Sequence, residues 1–300
     1  MRMFIVEKED SGKRLDAYLA EQYDLSRSKI QSLIAEEKVL VNSKVVKSSY
    51  LVKENDQIDA EEYQEELMDL KPEKMDLDIV YEDDDVIVVN KANGVVVHPA
   101  VGNPSGTLVN GLLYHSQSLS SINGEFRPGI VHRIDADTTG LLVIAKNNKA
   151  HEDLAKQLEE KTTYRKYVAL VWGVVNTDTG TIDAPIGRDL SDRKKMAVTD
   201  VNSKHAVTHF KVLERFSNVT LLELQLETGR THQIRVHMNY IGYPIVNDPV
   251  YGRRKKIDET GQCLHAKTLG FIHPTTKEYM EFTSELPECF IHVLNEVTNS

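Results

Sequence analysis

Residues 132–140 read HRIDADTTG: a basic pair, two carboxylates two positions apart, two hydroxyls and a closing glycine. Asp135 and Asp137 in this spacing suit three chemistries, namely a calcium loop, phosphoryl transfer by an aspartyl nucleophile, or work on a glycosidic bond. A calcium loop opening at Asp135 places Gly140 correctly at its sixth position. Its twelfth position needs a bidentate acid, however, and Lys146 stands there and would repel the metal. Asp135 to Thr139 also fits D-x-D-x-T, a phosphatase spacing that should close an apolar strand and meet a downstream G-D-x-x-x-D pair for magnesium. His132 and Arg133 precede Asp135 instead, no such pair follows residue 200, and a five-residue match is weak by itself. Support for glycosidic chemistry has to come from distant parts of the chain.

Two regions must position these residues. In the first, Leu15, Tyr18 and Leu19, and again Ile30, Leu33 and Ile34, follow an i, i+3, i+4 spacing. This predicts two short amphipathic helices, with Ser26 capping the second. VLVNSKVV alternates around the tight-turn pair Asn42-Ser43, predicting a small hairpin. Arg14, Arg27, Lys29 and Lys38 lie off the apolar stripes. The run from RLDAYLAEQY to VKENDQI, roughly residues 12–60, resembles the alpha-L RNA-binding module that a small-subunit ribosomal protein shares with several RNA-modifying enzymes. Glu37 and Ser43 stand where that module usually has glycine, so both turns are expected to be tighter or shifted. The resemblance implies a small α/β module in which Arg14, Arg27, Lys29 and Lys38 meet RNA phosphates.

A formal charge of −10 argues against a polyanionic partner until its distribution is considered. Residues 61–85 hold twelve acids and two lysines and so carry all of it; elsewhere acids and bases balance. The acidity belongs to an expected linker, which puts the domains at 1–72 and 73–300. No apolar run reaches membrane length, the N-terminus lacks the apolar region of a secretory signal, and two cysteines are too few for a disulfide framework. A cytoplasmic protein with no membrane contact is expected.

Past the linker, IVYEDDDVIVV predicts a hairpin, and LLVIAK (141–146) and YVALVW (167–172) predict central strands. KAHEDLAKQLEEK has helical spacing, VTLLELQLETG alternates as a half-buried strand, and THQIRVHMNYIG returns to helical spacing with Thr231 as its cap. Strands and helices without βαβ repetition predict an α+β fold.

On these elements the glycosidic reading finds its support. RPGIVHRIDADTTGLLVIAK (127–146) resembles the nucleophile loop of the RluA-type RNA pseudouridine synthases. TYRKYVALVWG resembles their second motif, LETGRTHQIRVHM their third, and CLHAKTLGFIHP the segment after it. VVNKANGVVVHPAVGN resembles the first motif, with Ala92 in place of the usual proline, expected to loosen the turn after Lys91. PIGRDLSDRKKMAV further resembles the RluD-like branch. The resemblance covers nearly all of residues 75–292, in the family's order. It implies a mixed, mainly antiparallel sheet in an α+β catalytic domain. It also implies Asp135, Tyr167 and Arg235 as catalytic residues, and His132, Arg133, Thr139, Arg230, His232, Gln233 and Leu264 as substrate-binding residues. Taken singly these have plainer uses: a core tyrosine, surface ion pairs, and histidines that bond structurally. His132, His232, His237, His265 and His273 have neither cysteine partners nor an H-E-x-x-H helix, so no zinc is expected.

Pseudouridylation detaches uracil N1 from ribose C1′, turns the base and rejoins it through C5. Nothing is oxidised and no group is imported, so no cofactor and no metal are expected. A carboxylate suits the sugar or the base, with attack at C1′, addition at C6 and support of a glycal all open. A cation such as Arg235 keeps a carboxylate charged in a dry pocket; Tyr167 offers a ring for the base and a phenol for a proton, and Leu264 an apolar wall. The target base must leave its stack, most cheaply from an unpaired loop. Arg188, Arg193, Lys194 and Lys195 are a second candidate RNA contact, or a plain solvated loop. The expected partner is RNA, most readily large-subunit ribosomal RNA on branch resemblance, with no obligatory protein partner. The alternatives are a transfer-RNA substrate, a non-catalytic RNA-binding or assembly protein, and an aspartyl phosphatase.

Overall fold

The computed structural model describes residues 2–298 other than 24, 26, 62–69, 100, 101, 117, 123–127, 193, 194 and 253–255, with the backbone alone at 28 and 29. Two compact units separate at residues 67 and 68. Ser26, Arg193, Lys194 and the Lys29 side chain, all singled out above, lie outside the described residues. Among those described, no helix is long and apolar enough to cross a membrane.

The first unit has β1 (Arg2–Ile5), α1 (Leu15–Tyr23), α2 (Arg27–Ala35), β2 (Val39–Val41), β3 (Lys44–Val45) and β4 (Gln57–Ala60), with sheet order β1-β4-β2-β3. All six expected helix-stripe residues are buried, packed with Val39, Val41, Val52 and Ile58. The β2–β3 hairpin turns at Asn42 and Ser43, whose φ values of 49° and 60° are those of a two-residue primed turn. Glu37 is left-handed as well, at φ 59°. The turns that lack the module's usual glycines therefore keep the left-handed backbone rather than shifting, at some strain.

The second unit contains β5 (Ile79–Glu82), β6 (Val86–Lys91), α3 (Leu108–His115), β7 (Thr139–Ala145), α4 (Asn148–Glu159), β8 (Tyr164–Trp172) and β9 (Thr179–Asp183). These are followed by β10 (Ile186–Arg188), β11 (Met196–Val198), β12 (Val207–Arg215), β13 (Val219–Leu226), α5 (Gln233–Tyr240), β14 (Leu264–Ile272), β15 (Tyr279–Thr283) and α6 (Glu288–Thr298). The main sheet runs β5-β6-β7-β14-β8-β13-β12-β9, with β15 also on β14, while β10 and β11 pair separately. Only β7 and β14 pair in parallel among the described strands; the other pairs are antiparallel, a mixed, mainly antiparallel α+β arrangement.

Continuous apolar runs mark strands covered on both faces. Every residue of β7 is buried, and its side chains divide by alternation between two cores. Leu142 and Ile144 join α3, α5 and α6 residues on one face, whereas Leu141, Val143 and Ala145 meet Ala150 and Leu154 of α4 on the other. Across the middle of the sheet, Gly140 lies opposite Ala266, and Ala266 opposite Tyr167. This register brings the end of the HRIDADTTG loop beside Tyr167 and Leu264. Gly140 is required there: its φ is +112°, and a Cβ would collide with the Ala266 backbone.

Candidate active site

Asp135 sits in the loop that leads into β7. That loop is tied down by Lys91, at the end of β6, whose ammonium is buried and donates to the carbonyls of Ala92 and Val95 at 2.8 Å and of Ala136 at 2.6 Å. Burial pulls the Lys91 pKa down to about 8, against the opposing charges of Asp137 and Asp135. All three ammonium protons thus meet acceptors, one of them the carbonyl of Ala92. His132 braces the same loop by accepting the Val143 N–H at 3.0 Å. Burial lowers its pKa to about 3, with the charge of Arg165 adding to the effect, so the imidazole is neutral.

The two loop carboxylates part ways. Asp135 faces a cavity of about 420 Å³, with its side chain one-fifth exposed. Asp137 packs instead against Gly261, in a separate narrow crevice, where burial raises its pKa despite Arg235 and Lys91. The cavity is also lined by Arg133, Thr138, Arg165, Tyr167, Gly229, Arg230, His232, Arg235 and Leu264.

Arg235 Nη1 donates to Asp135 Oδ2 at 2.8 Å, joining residues a hundred positions apart. The rest of the guanidinium is gripped by Asp248, with Nε to Oδ2 at 2.7 Å and Nη2 to Oδ1 at 2.8 Å. Asp248 Oδ1 also accepts the amides of Val250 and Tyr251. Burial pushes the Asp248 carboxyl up, but Arg235 and these amides hold it below the ordinary range. Burial works against the Arg235 charge too, and the two aspartates overcome it, raising its pKa further. The ring of Tyr251 lies 5.2 Å from the Arg235 guanidinium carbon. A bidentate carboxylate behind a guanidinium fixes its plane, so the remaining N–H is aimed at Asp135. Asp135 Oδ1 stays open to the cavity, 3.8 Å from His232 Nε2.

His232 caps α5 in place of the expected Thr231. It does so with left-handed backbone, φ 56° and ψ 20°, and without a side-chain cap bond. Its Nδ1 lies 2.9 Å from the Tyr251 hydroxyl, which accepts the Met196 N–H. Burial lowers the His232 pKa against the pull of Asp135. Tyr167 is buried on β8; burial raises its pKa, partly offset by Arg165, so it presents a neutral phenol.

Other expected residues need correcting. Thr139 does not line the cavity: strand alternation turns it inward, its hydroxyl 2.8 Å from His265 Nδ1, and Thr138 takes the lining position. Gln233 lines the wall, but its polar atoms are fully engaged. Its oxygen accepts from Thr228 and the Arg230 amide, and its nitrogen donates to Val207 and Thr208, so it fastens the loop. Arg133 and Arg230 lie at the rim, Arg230 donating from Nε to the His205 carbonyl.

In the first unit, Arg14 and Arg27 both converge on Asp16, fully buried, at 2.9 Å, while Lys38 pairs with Glu36. The Arg14 guanidinium holds Asp16 well below the usual carboxylate range. These three cations are therefore paired with acids yet remain exposed at the surface. Lys195 lies 4.0 Å from Asp192.

Among the described residues, Asp83, Asp85 and His273 have the spacing of a metal site. His273 Nδ1 accepts amides of Thr275 and Thr276, which leaves the ring proton on Nε2 for Asp83 at 2.9 Å. Asp83 in turn accepts the Asp85 and Val86 amides, so the group closes the β5–β6 turn.

Sequence reasoning missed Asp248, Lys91 and Arg165 as parts of the site. Arg165 had a signal, since two positions before Tyr167 on a strand means the same face.

A family model described as RNA pseudouridylate synthase matches residues 85–240, and one for the S4 domain matches 13–58. A Bacillus subtilis protein called an uncharacterized RNA pseudouridine synthase, YlyB, is 56% identical over 94% of this chain and 93% of its own. A Pseudomonas aeruginosa ribosomal large subunit pseudouridine synthase D is 44% identical over 95% of this chain and 92% of its own. The solved structure of human RNA pseudouridylate synthase domain containing 1 is 28% identical, with a TM-score of 0.58 over 74% of this chain and 87% of that one. With an Asp135–Arg235 pair in the wall of a cavity of about 420 Å³ and relatives alike over nearly its whole length, this chain belongs to the RNA pseudouridine synthase family.

Proposed function

We propose that this enzyme isomerises uridines of large-subunit ribosomal RNA in the cytoplasm. The observation that carries the catalytic part is the Asp135 carboxylate, with one oxygen fixed by Arg235 and the other open to the cavity. The relative named for large-subunit ribosomal RNA supports the substrate, and two free cysteines fit a reducing compartment.

In this reading residues 1–72 are an RNA-binding module and residues 73–300 the catalytic domain. A flipped uracil enters between Tyr167 and Leu264, and its glycosidic bond comes to the open oxygen of Asp135. Arg235 holds one oxygen of the carboxylate and so aims the other. As a neutral phenol, Tyr167 serves as a wall for the base and as a hydrogen-bond donor, not as a phenolate base. His232, with its proton on Nε2, lies on the other side of Asp135, and Arg133 and Arg230 at the rim meet the RNA backbone.

The test is ribosomal RNA tritiated at uridine C5, with label followed into water. Wild type should release it and Asp135→Asn should not, while still binding the RNA. Undiminished release by Asp135→Asn would remove Asp135 from the chemistry, and release from transfer RNA alone would reassign the substrate.

A further inference from the structure

Four arginines line the cavity, and three have evident engagements. Arg235 is held by two aspartates, Arg230 donates to a carbonyl, and Arg133 reaches 3.4 Å from His98 Nε2 at the rim. Arg165 differs. It is 9% exposed, its Nε is buried with no hydrogen-bond partner, and no carboxylate among the described residues pairs with it. The other acid on the wall, Glu159, forms no ion pair with it. Its charge is felt by the buried groups beside it, deepening the fall in the His132 pKa and tempering the rise at Tyr167.

A buried guanidinium without a countercharge is unfavourable, and a site that keeps one is built to receive an anion. Arg165 lies two residues from Tyr167 on one strand face, an advance of about 6.6 Å. Beside it Gly229 has no side chain; a Cβ there would come 3.2 Å from Arg165 Nη1. The guanidinium fork is therefore left clear on that side.

We propose that Arg165 is the phosphate anchor of the cavity, its fork taking the non-bridging oxygens of the phosphodiester next to the uridine that packs on Tyr167. This rests on the entry of a flipped uridine proposed above. The uracil carbonyls are neutral, whereas a phosphodiester brings both the missing charge and two oxygens that match the fork.

The test uses a ribosomal RNA fragment tritiated at uridine C5, made with ordinary linkages or with a neutral methylphosphonate on either side of the target uridine. Arg165→Met should lower kcat/KM about ten- to a hundredfold, chiefly through KM. Wild type should lose a similar factor on one of the neutral linkages, and Arg165→Met should lose nothing more there. Arg165→Lys should recover part of the loss on the ordinary linkage only. Losses from variant and linkage that multiply, or a wild type indifferent to both neutral linkages, would overturn the anchor while leaving the synthase reading intact. No release by wild type from ordinary RNA would overturn both. Because the wild-type arm needs no variant, misfolding of Arg165→Met cannot mask the outcome.

Discussion

Replacing Asp248 with asparagine keeps its shape and removes the charge behind Arg235. The asparagine oxygen can still accept the Val250 and Tyr251 amides, but its NH2 then faces Arg235 Nε–H, donor against donor. Breaking one side of a buried ion pair costs about 3–5 kcal/mol. Asp135 still meets the guanidinium, so the lower end applies, about 3 kcal/mol. For a unit of this size each kcal/mol moves Tm by about 2–4 °C, giving a fall of about 6–12 °C. Freed from its bidentate hold, Arg235 no longer fixes Asp135, and a displacement near 1 Å costs roughly a hundredfold in rate. Thermal melts read the first effect and single-turnover tritium release the second; kcat should fall and KM should change little. Asp135→Asn is the control: it leaves the Arg235–Asp248 pair whole and should abolish turnover with only a few degrees lost. An Asp248→Asn protein that melts within about 2 °C of wild type and turns over within threefold would refute the idea that Asp248 sets the geometry of the pair.

Gly140→Ala should destabilise by more than about 3 kcal/mol, read as a lower urea midpoint, because the left-handed φ and the Ala266 backbone exclude a side chain; an unchanged midpoint would contradict the close approach of β7 and β14. Stability should also fall as pH drops from about 6.5 towards 4. His132 and His265 are held neutral by burial, with pKa values lowered to about 3 and about 4. The unfolded chain therefore takes up protons over this range that the folded chain refuses, about 1–2 kcal/mol each by pH 5. Urea midpoints at pH 7.5 and 5.0 check this, and equal values would refute it.

The hairpins, the buried central strands, the helix after LLVIAK and the five motif segments were legible because each rests on local pattern: alternation, helical spacing or a fixed run of residue types. What was not legible depends on direction and on long-range meeting. Thr138 and Thr139 are chemically alike and adjacent, and only strand phase decides which faces the cavity. Asp248 lies in an aperiodic stretch, VNDPVY, and nothing in those letters announces a guanidinium thirteen residues away. The basic residues of the first unit were read by type, while the buried Asp16 that claims two of them is the second residue of α1, directly after the stripe residue Leu15. The cap of α5 was assigned by preference to Thr231, and a left-handed histidine took its place.

The ammonium of Lys91, saturated by three carbonyls, has one more implication. The strand end, the turn after it and the backbone behind Asp135 are locked together without any help from RNA. In the proposed reading the acid is thus already in place before a substrate arrives, and contact with the nucleic acid would be left to prise one base from its neighbours instead of assembling the machinery that acts on it.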